Sequence, residues 1–304
     1  MRVGVVGLGS MGMGVANSLL RAGHSVGGFD VRPEPCDALQ RAGGRAHATP
    51  AELGRDAEVA IILVVNAAQV DDVLFGPTGL AQTMAKGGII LQSATVSPDY
   101  PVTLGERLVT HGLRLIDAPV SGGAGGAEAG KLTIMASGEP SAFDDCASVL
   151  AAIAGKVYRL GDRPGPGSQI KLVNQLLAGV HIAVAAEAMA LAIRLGADPQ
   201  TAFEVLSNSA GASWMFQNRI PHVLDGDYTP RSAVNIFVKD LGIVLETAKK
   251  NLFPTPLAAT AHQLFTMAAA SGHGLEDDAA VIKVFQTLTG ITLPDKNTLP
   301  DKKT

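Results

Sequence analysis

The stretch "GPGSQIKLVNQ" (165–175) sets an amine and two amides where packing alone would favour leucine. On a helix Lys171 shares a face with Asn174 and Gln175, three and four residues on, so the three polar groups converge near the start of an otherwise apolar, Ala-rich segment that runs to Gly196. An amine half-ionised near pH ~10.4 in water is brought toward the working pH by burial or a neighbouring cation, and there it can take and return a proton. From this stretch alone, a lysine snorkelling from a helix start is equally open.

A second constellation is Ser121-Gly122-Gly123, within "DAPVSGGAGGAEAGKLTIMASG" (117–138). It follows an apolar run at the carboxyl end of a strand, the edge where open α/β sheets bind ligands, and bare backbone amides plus a hydroxyl suit a carboxylate. A flexible glycine turn is the alternative.

The third is Gly7-Leu8-Gly9-Ser10-Met11-Gly12, a GxGxxG directly after the first apolar run, opening a helix that ends at Gly23, with Asp30 closing the second run. Strand before, helix after and an acidic residue in this place make a dinucleotide fingerprint. The glycines permit a tight turn and let a pyrophosphate approach backbone N–H groups at a helix N-terminus, and Asp30 would accept from the ribose hydroxyls. A carboxylate there repels a 2′-phosphate, which favours NAD. Arg32 could meet that phosphate or be a solvated loop charge.

Elements must position these groups. The runs "RVGVVG" (2–7), "HSVGGFD" (24–30), "AEVAIILVV" (57–65), "GGIILQSA" (87–94), "LRLIDAPV" (113–120), "LTIMASG" (132–138) and "KVYRL" (156–160) alternate with helical segments up to about residue 162. Helix starts and stops are marked by Thr49-Pro50-Ala51-Glu52, a capping box with Pro at N1, and by the glycines of "RAGG" (41–44). Continuous Val/Ile/Leu runs mean strands buried on both faces. The expected fold is α/β: an N-terminal Rossmann-type doubly wound parallel sheet, then an all-α C-terminal domain joined by a long helix over about 167–195. Asp198-Pro199 opens a further helix, and "SWMFQNRIPHVL" (213–224) and "IFVKDLGIVLETAKKN" (236–251) read as two more. The expected divisions are 1–163, a dinucleotide-binding domain; 164–293, a helical substrate and oligomerisation domain; and a polar, disordered tail over 294–304. No internal repeat is visible.

Composition narrows the partners. At 304 residues two domains are expected, and 47% hydrophobic residues, 35 glycines and 17% charged residues fit a tightly packed α/β protein. A formal charge of -4 and a pI near 6.0 leave no basic footprint for nucleic acid or an anionic membrane, so a small molecule is the default partner. Two cysteines, Cys36 and Cys146, make no disulfide framework or metal cluster and suggest a reducing, cytoplasmic compartment. "MRVGVVGLGSMG" lacks an export signal's design. The Ala-rich helix has membrane length, but its Asn, Gln, His and Glu would be costly in lipid. Apolar on all sides, it reads instead as a spine joining the two domains and partly covered by another subunit, in a homodimer or homotetramer.

"GLGSMG" (7–12), "SATVSP" (93–98), "DAPVSGG" (117–123), "GKLTIMASG" (130–138), "GPGSQIKLVNQ" (165–175) and "VKDLG" (238–242) occur in the order and spacing of the β-hydroxyacid dehydrogenases. The chain resembles that family over about residues 1–292; its members include 3-hydroxyisobutyrate dehydrogenase and tartronate semialdehyde reductase, and it is related to 6-phosphogluconate dehydrogenase. Within it, "VNQLLAGVHIAVAAEAMAL" most resembles the L-threonate dehydrogenases, which oxidise a four-carbon sugar acid. The resemblance implies that Lys171 is the catalytic acid/base, that Ser121, Gly122 and Gly123 hold the substrate carboxylate with Asn174 and Gln175 alongside, and that Thr95 and Lys239 lie against the nicotinamide end of NAD. Asn66 is grouped with the cofactor-binding residues. One departure is visible: the fourth residue after the lysine is usually an asparagine that touches substrate, and here it is Gln175.

Other residues read less sharply. Thr95 alone could cap a helix beginning near Ser97-Pro98, and Lys239 alone is a solvated helix charge. His181 fits a core or interface histidine better than a catalytic one, and Trp214 could wall a pocket or fill core. Extra substrate hydroxyls would find partners in Ser209, Ser213 and Asn235. A silent dinucleotide sensor would not need both Lys171 and Ser121-Gly122-Gly123, and an imine-reducing relative would have replaced the lysine.

Overall fold

In a computed structural model, which describes residues 1–294, strands and helices alternate through the first half of the chain. They are β1 (Arg2–Val6), α1 (Ser10–Arg21), β2 (Ser25–Phe29), α2 (Pro33–Arg41), β3 (Arg45–Ala46), α3 (Pro50–Asp56), β4 (Val59–Ile62), α4 (Ala67–Phe75), β5 (Ile89–Gln92), α5 (Tyr100–Thr110) and β6 (Arg114–Asp117). Then come β7 (Val120–Ser121), α6 (Gly123–Glu128), β8 (Leu132–Gly138), α7 (Pro140–Asp145), α8 (Ala147–Ile153) and β9 (Ala154–Arg159). The sheet order is β3-β2-β1-β4-β5-β6-β8-β7, with β9 on β8.

From β3 to β6 every pairing is parallel, the doubly wound arrangement, and the order reverses at β1. Side chains confirm burial on both faces: Val3, Val5, Val59, Ile61, Ile89 and Leu91 enter one core, Val6, Ala60, Ile62 and Ile90 the other. The sheet is nevertheless mixed. β8 runs antiparallel to both β6 and β7, because the chain returns from β7 through the short α6 rather than through a full crossover. β3 and β7 are two-residue strands, too short to leave a periodic pattern.

The turn chemistry forms as the residue types dictate. Thr49 Oγ1 accepts from the Glu52 N–H at 3.2 Å, while the Glu52 carboxylate reaches back to the Ala48 N–H at 3.0 Å, one residue beyond the usual capping-box partner. Gly43 takes a φ of 94° just past α2.

After β9 the described residues form no further strand, only an isolated bridge between Ala233 and Asp277. The helices are α9 (Pro166–Arg194), α10 (Pro199–Ser207), α11 (Trp214–Leu224), α12 (Val234–Lys250), α13 (Pro256–Ala268) and α14 (Ile282–Thr289). Asp198 caps α10 through the Thr201 N–H and Ser213 caps α11 through the Phe216 N–H. The chain divides into two compact units between Leu172 and Val173, in the second turn of α9, whereas the end of strand–helix alternation placed the expected boundary at 163/164. The polar tail lies outside the described residues from 295 onward. α9 is not covered on all sides: Ile170, Val173, Leu177, Val184 and Leu191 are each about half exposed.

Candidate active site

Because β1, β2, β4, β5 and β6 are parallel, their carboxyl ends share one edge, and in the first unit that edge carries the glycine loop, Asp30, Asn66, Thr95 and the segment leading to Ser121. Gly7 sits at a φ of 86°, where a Cβ would lie 2.6 Å from the Leu63 carbonyl oxygen, and a Cβ on Gly12 would fall onto the Gly7 carbonyl oxygen. Both glycines are therefore required by the fold. Gly9 is different: a Cβ there meets nothing nearer than Arg32 Nη2 at 3.9 Å. It caps α1 with no side-chain acceptor on the first-turn amides and no acidic residue in that turn. Open space beside uncapped amides fits a dinucleotide pyrophosphate. Of the other loop residues, Leu8 is buried, Met11 packs against the core and Ser10 is exposed, so the first two have their side chains turned to packing and offer a ligand backbone.

Asp30 anchors the loop. Its Oδ2 accepts from the Leu8 N–H at 2.8 Å, and its Oδ1 accepts from the Arg32 backbone N–H at 3.0 Å and from Arg32 Nε at 3.1 Å. Burial pushes this carboxyl up, but the hydrogen bonds from Arg32 and Leu8 outweigh burial and hold it below the usual carboxylate range. Arg32 is thus tied to Asp30 rather than free in the loop.

Asn66 is the N-cap of α4, accepting from the Gln69 N–H at 2.9 Å while Gln69 accepts from the Val65 N–H. Thr95 is half-buried beyond β5. It does not cap the next helix, which starts at Tyr100 after Asp99, because Ser97-Pro98 form a turn in which the Ser97 carbonyl accepts from the Tyr100 N–H. Ser121 pairs with Thr133 of β8, and Gly122 and Gly123 follow at φ of 131° and 64°, so their exposed amides occupy backbone that favours glycine.

Lys171 lies in the second turn of α9 and is only 8% exposed. Asn174 and Gln175 stand on the same helix, at the opening of the second unit. There Asn174 donates to Gln175 Oε1 at 3.0 Å, Gln175 Nε2 donates to Asp240 Oδ2 at 2.5 Å, and Lys239 Nζ pairs with Asp240 Oδ1 at 2.7 Å. Lys239 is therefore not the solvated charge its sequence neighbours suggest. Ser209 donates to the Val205 carbonyl, Ser213 caps α11, Asn235 is exposed, and Trp214 is 56% exposed and no core residue.

Sequence reasoning passed over two buried acids. One is Asp240; the other is Asp117, fully buried at the end of β6. Asp117 Oδ1 accepts from Ser168 Oγ at 2.7 Å, and Oδ2 accepts from the Ser168 N–H at 2.8 Å, the Gly165 N–H at 3.1 Å and Ser137 Oγ at 3.3 Å. Each was visible as a single acid closing or interrupting an apolar run, "RLID" and "VKDLG", but its partners are distant in sequence.

Residues 2–161 match the family described as the NAD-binding domain of 6-phosphogluconate dehydrogenase, and residues 165–285 that described as the NAD-binding domain of NADP-dependent 3-hydroxyisobutyrate dehydrogenase. An L-threonate dehydrogenase of Cupriavidus necator is 57% identical over 294 residues, 97% of this chain and 98% of its own length. One from Escherichia coli K12 is 52% identical over 293 residues, 96% of each chain. A crystal structure described as 3-hydroxyisobutyrate dehydrogenase from Salmonella typhimurium superposes with a TM-score of 0.90 at 52% identity, covering 93% of this chain and 99% of that one. With both halves matched in order and the likeness running nearly end to end, the chain belongs to the β-hydroxyacid dehydrogenase family and is an NAD-dependent hydroxyacid dehydrogenase.

Proposed function

We propose that the chain oxidises a short polyhydroxylated acid of the L-threonate type, with Lys171 as general base. The observation that carries the residue roles is the burial of Lys171, only 8% exposed, in the second turn of α9. Neutral Lys171 takes the hydroxyl proton of the substrate, and the ammonium it becomes steadies the developing oxyanion with help from Asn174 or Gln175. Ser121 and the Gly122 and Gly123 amides hold the carboxylate. Gly7 to Gly12, with Asp30, Asn66, Thr95 and Lys239, hold NAD, which accepts the hydride from the substrate carbon.

The sugar-acid assignment is supported by the names of the bacterial relatives and by Gln175, longer than the usual asparagine. The name of the Salmonella structure favours the methyl-bearing 3-hydroxyisobutyrate instead. Comparing kcat/KM on L-threonate and 3-hydroxyisobutyrate, each with NAD and with NADP, decides between them. A site that hydrogen-bonds extra hydroxyls leaves polar groups unpaired when they are missing, so the gap should exceed what an apolar pocket gives. Equal efficiency, or preference for 3-hydroxyisobutyrate, overturns the sugar-acid assignment and leaves the dehydrogenase intact.

The reading includes a cytoplasmic homo-oligomer that binds neither nucleic acid nor membrane. The half-exposed Ile170, Val173, Leu177, Val184 and Leu191 line one face of α9 at helical spacing, and a second copy of the same face would cover them. Free Cys36 and Cys146 suit a reducing compartment.

A further inference from the structure

We infer that Asp117 is the positioning residue that fixes Lys171 in its working place, an inference that rests on the acid/base role proposed above. A buried carboxylate is costly unless its lone pairs are taken, and Asp117 spends all four of its bonds on one task, three of them on the first turn of α9 and the fourth on Ser137. Ser137, opposite it on β8, in turn accepts from the Gly167 N–H at 2.9 Å. Three successive donors of one helix start, at Gly165, Gly167 and Ser168, are therefore clamped to the ends of β6 and β8. Lys171 follows Ser168 by three residues, one turn along the same helix, so its side chain inherits that placement.

The approach is as close as backbone allows. A Cβ on Gly167 would lie 2.5 Å from the Met135 carbonyl oxygen, 2.8 Å from the Asp117 carbonyl oxygen and 3.0 Å from Asp117 Oδ2. Four residues beyond Asp117, through Ala118 and Pro119, the same strand end reaches Ser121. One buried acid thus stands between the residues proposed to hold the carboxylate and the helix proposed to bring the base. Misplacing a catalytic group by about 1 Å is worth about 100-fold in rate.

The test combines Asp117→Asn, Ser168→Ala and the Lys171→Met background. Asparagine keeps one oxygen for the N–H donors and can donate to Ser168 Oγ, so the fold is retained while the clamp loosens. Asp117→Asn should lower kcat tenfold or more with the Kd for NAD unchanged, and Ser168→Ala should do the same to a smaller degree. Added to Lys171→Met, followed in single turnovers, neither should lower the rate further, because each acts only through the lysine. Losses that multiply in that background, or a kcat within twofold of wild type for both single variants, overturn the inference. Should Asp117→Asn fail to fold, Ser168→Ala is judged by the same two criteria. If Lys171→Met alone keeps wild-type turnover, the acid/base reading fails instead, and the two failures are distinct.

Discussion

Gln175 reaches across 65 residues of chain to Asp240, its amide nitrogen 2.5 Å from the buried carboxylate whose other oxygen is paired with Lys239. The residue that departs from the family's asparagine therefore gives one of its two N–H donors to protein, and its carbonyl accepts from Asn174. Of the two amides, the half-buried Asn174 is the one whose own carbonyl faces no partner requirement from this chain of bonds. Gln175→Leu leaves Asp240 buried with one donor fewer, at a cost of about 1–3 kcal/mol. Gln175→Asn, shorter by one methylene, should lose most of the same. The unfolding midpoint in urea checks this, and variants that unfold with wild type would show that the pair contributes nothing.

Lys171→Met removes the proposed proton acceptor and keeps an unbranched apolar stem in its buried place. Turnover should fall by about 10²–10⁴, the usual worth of a positioned acid or base, while NAD affinity stays nearly constant. Turnover within threefold of wild type would remove Lys171 from the mechanism.

Asp30, proposed to meet the ribose, is bonded to Arg32, so the choice of cofactor tests both residues. Wild type should prefer NAD; Asp30→Ala should narrow the gap to NADP, and Arg32→Ala, which unmasks the carboxylate, should widen it. A folded carboxyl held below its ordinary 3.8 keeps its hydrogen bonds, and the stability they bring, at every pH above that value, losing both only as pH falls through the lower folded value. The NAD preference should therefore be flat from pH 9 down to about 5. A ratio of kcat/KM values that collapses between pH 6 and 5 would show that another group sets it.

What the sequence made legible was local. The glycine loop, Asp30 and the helix caps at Thr49, Asp198 and Ser213 are each written within a few residues, where a turn, a φ or a cap leaves its own residue type behind. Lys171 stood out because a charge on an apolar helix is anomalous at first sight. The partners of Asp117 are 20 to 51 residues away and Gln175 is 65 residues from Asp240, so no spacing announces these bonds. Strand direction escaped for a related reason: "LTIMASG" is equally apolar read either way, and only its pairings with β6 and β7 make β8 antiparallel to them. Trp214 failed as a core candidate because size shows how much area a side chain can bury, not whether neighbours arrive to bury it.

The two later glycines of the loop separate fold from function. Gly12→Ala sets a methyl onto the Gly7 carbonyl oxygen, a backbone atom that cannot yield without moving β1 or α1, so the variant should be destabilised with or without cofactor. Gly9→Ala meets no such obstacle: its φ of −64° and ψ of −171° suit alanine, and the nearest atom is the end of the flexible Arg32 side chain at 3.9 Å. Its methyl would occupy space that this chain leaves open beside the α1 amides, where the pyrophosphate must come close. Gly9→Ala should therefore melt with wild type in the absence of NAD, bind NAD at least tenfold more weakly, and show a smaller rise in melting temperature than wild type at the same NAD concentration. Thermal melts of both variants with and without NAD read all of this at once. Tight NAD binding by Gly9→Ala would mean that the cofactor does not approach the loop at Gly9.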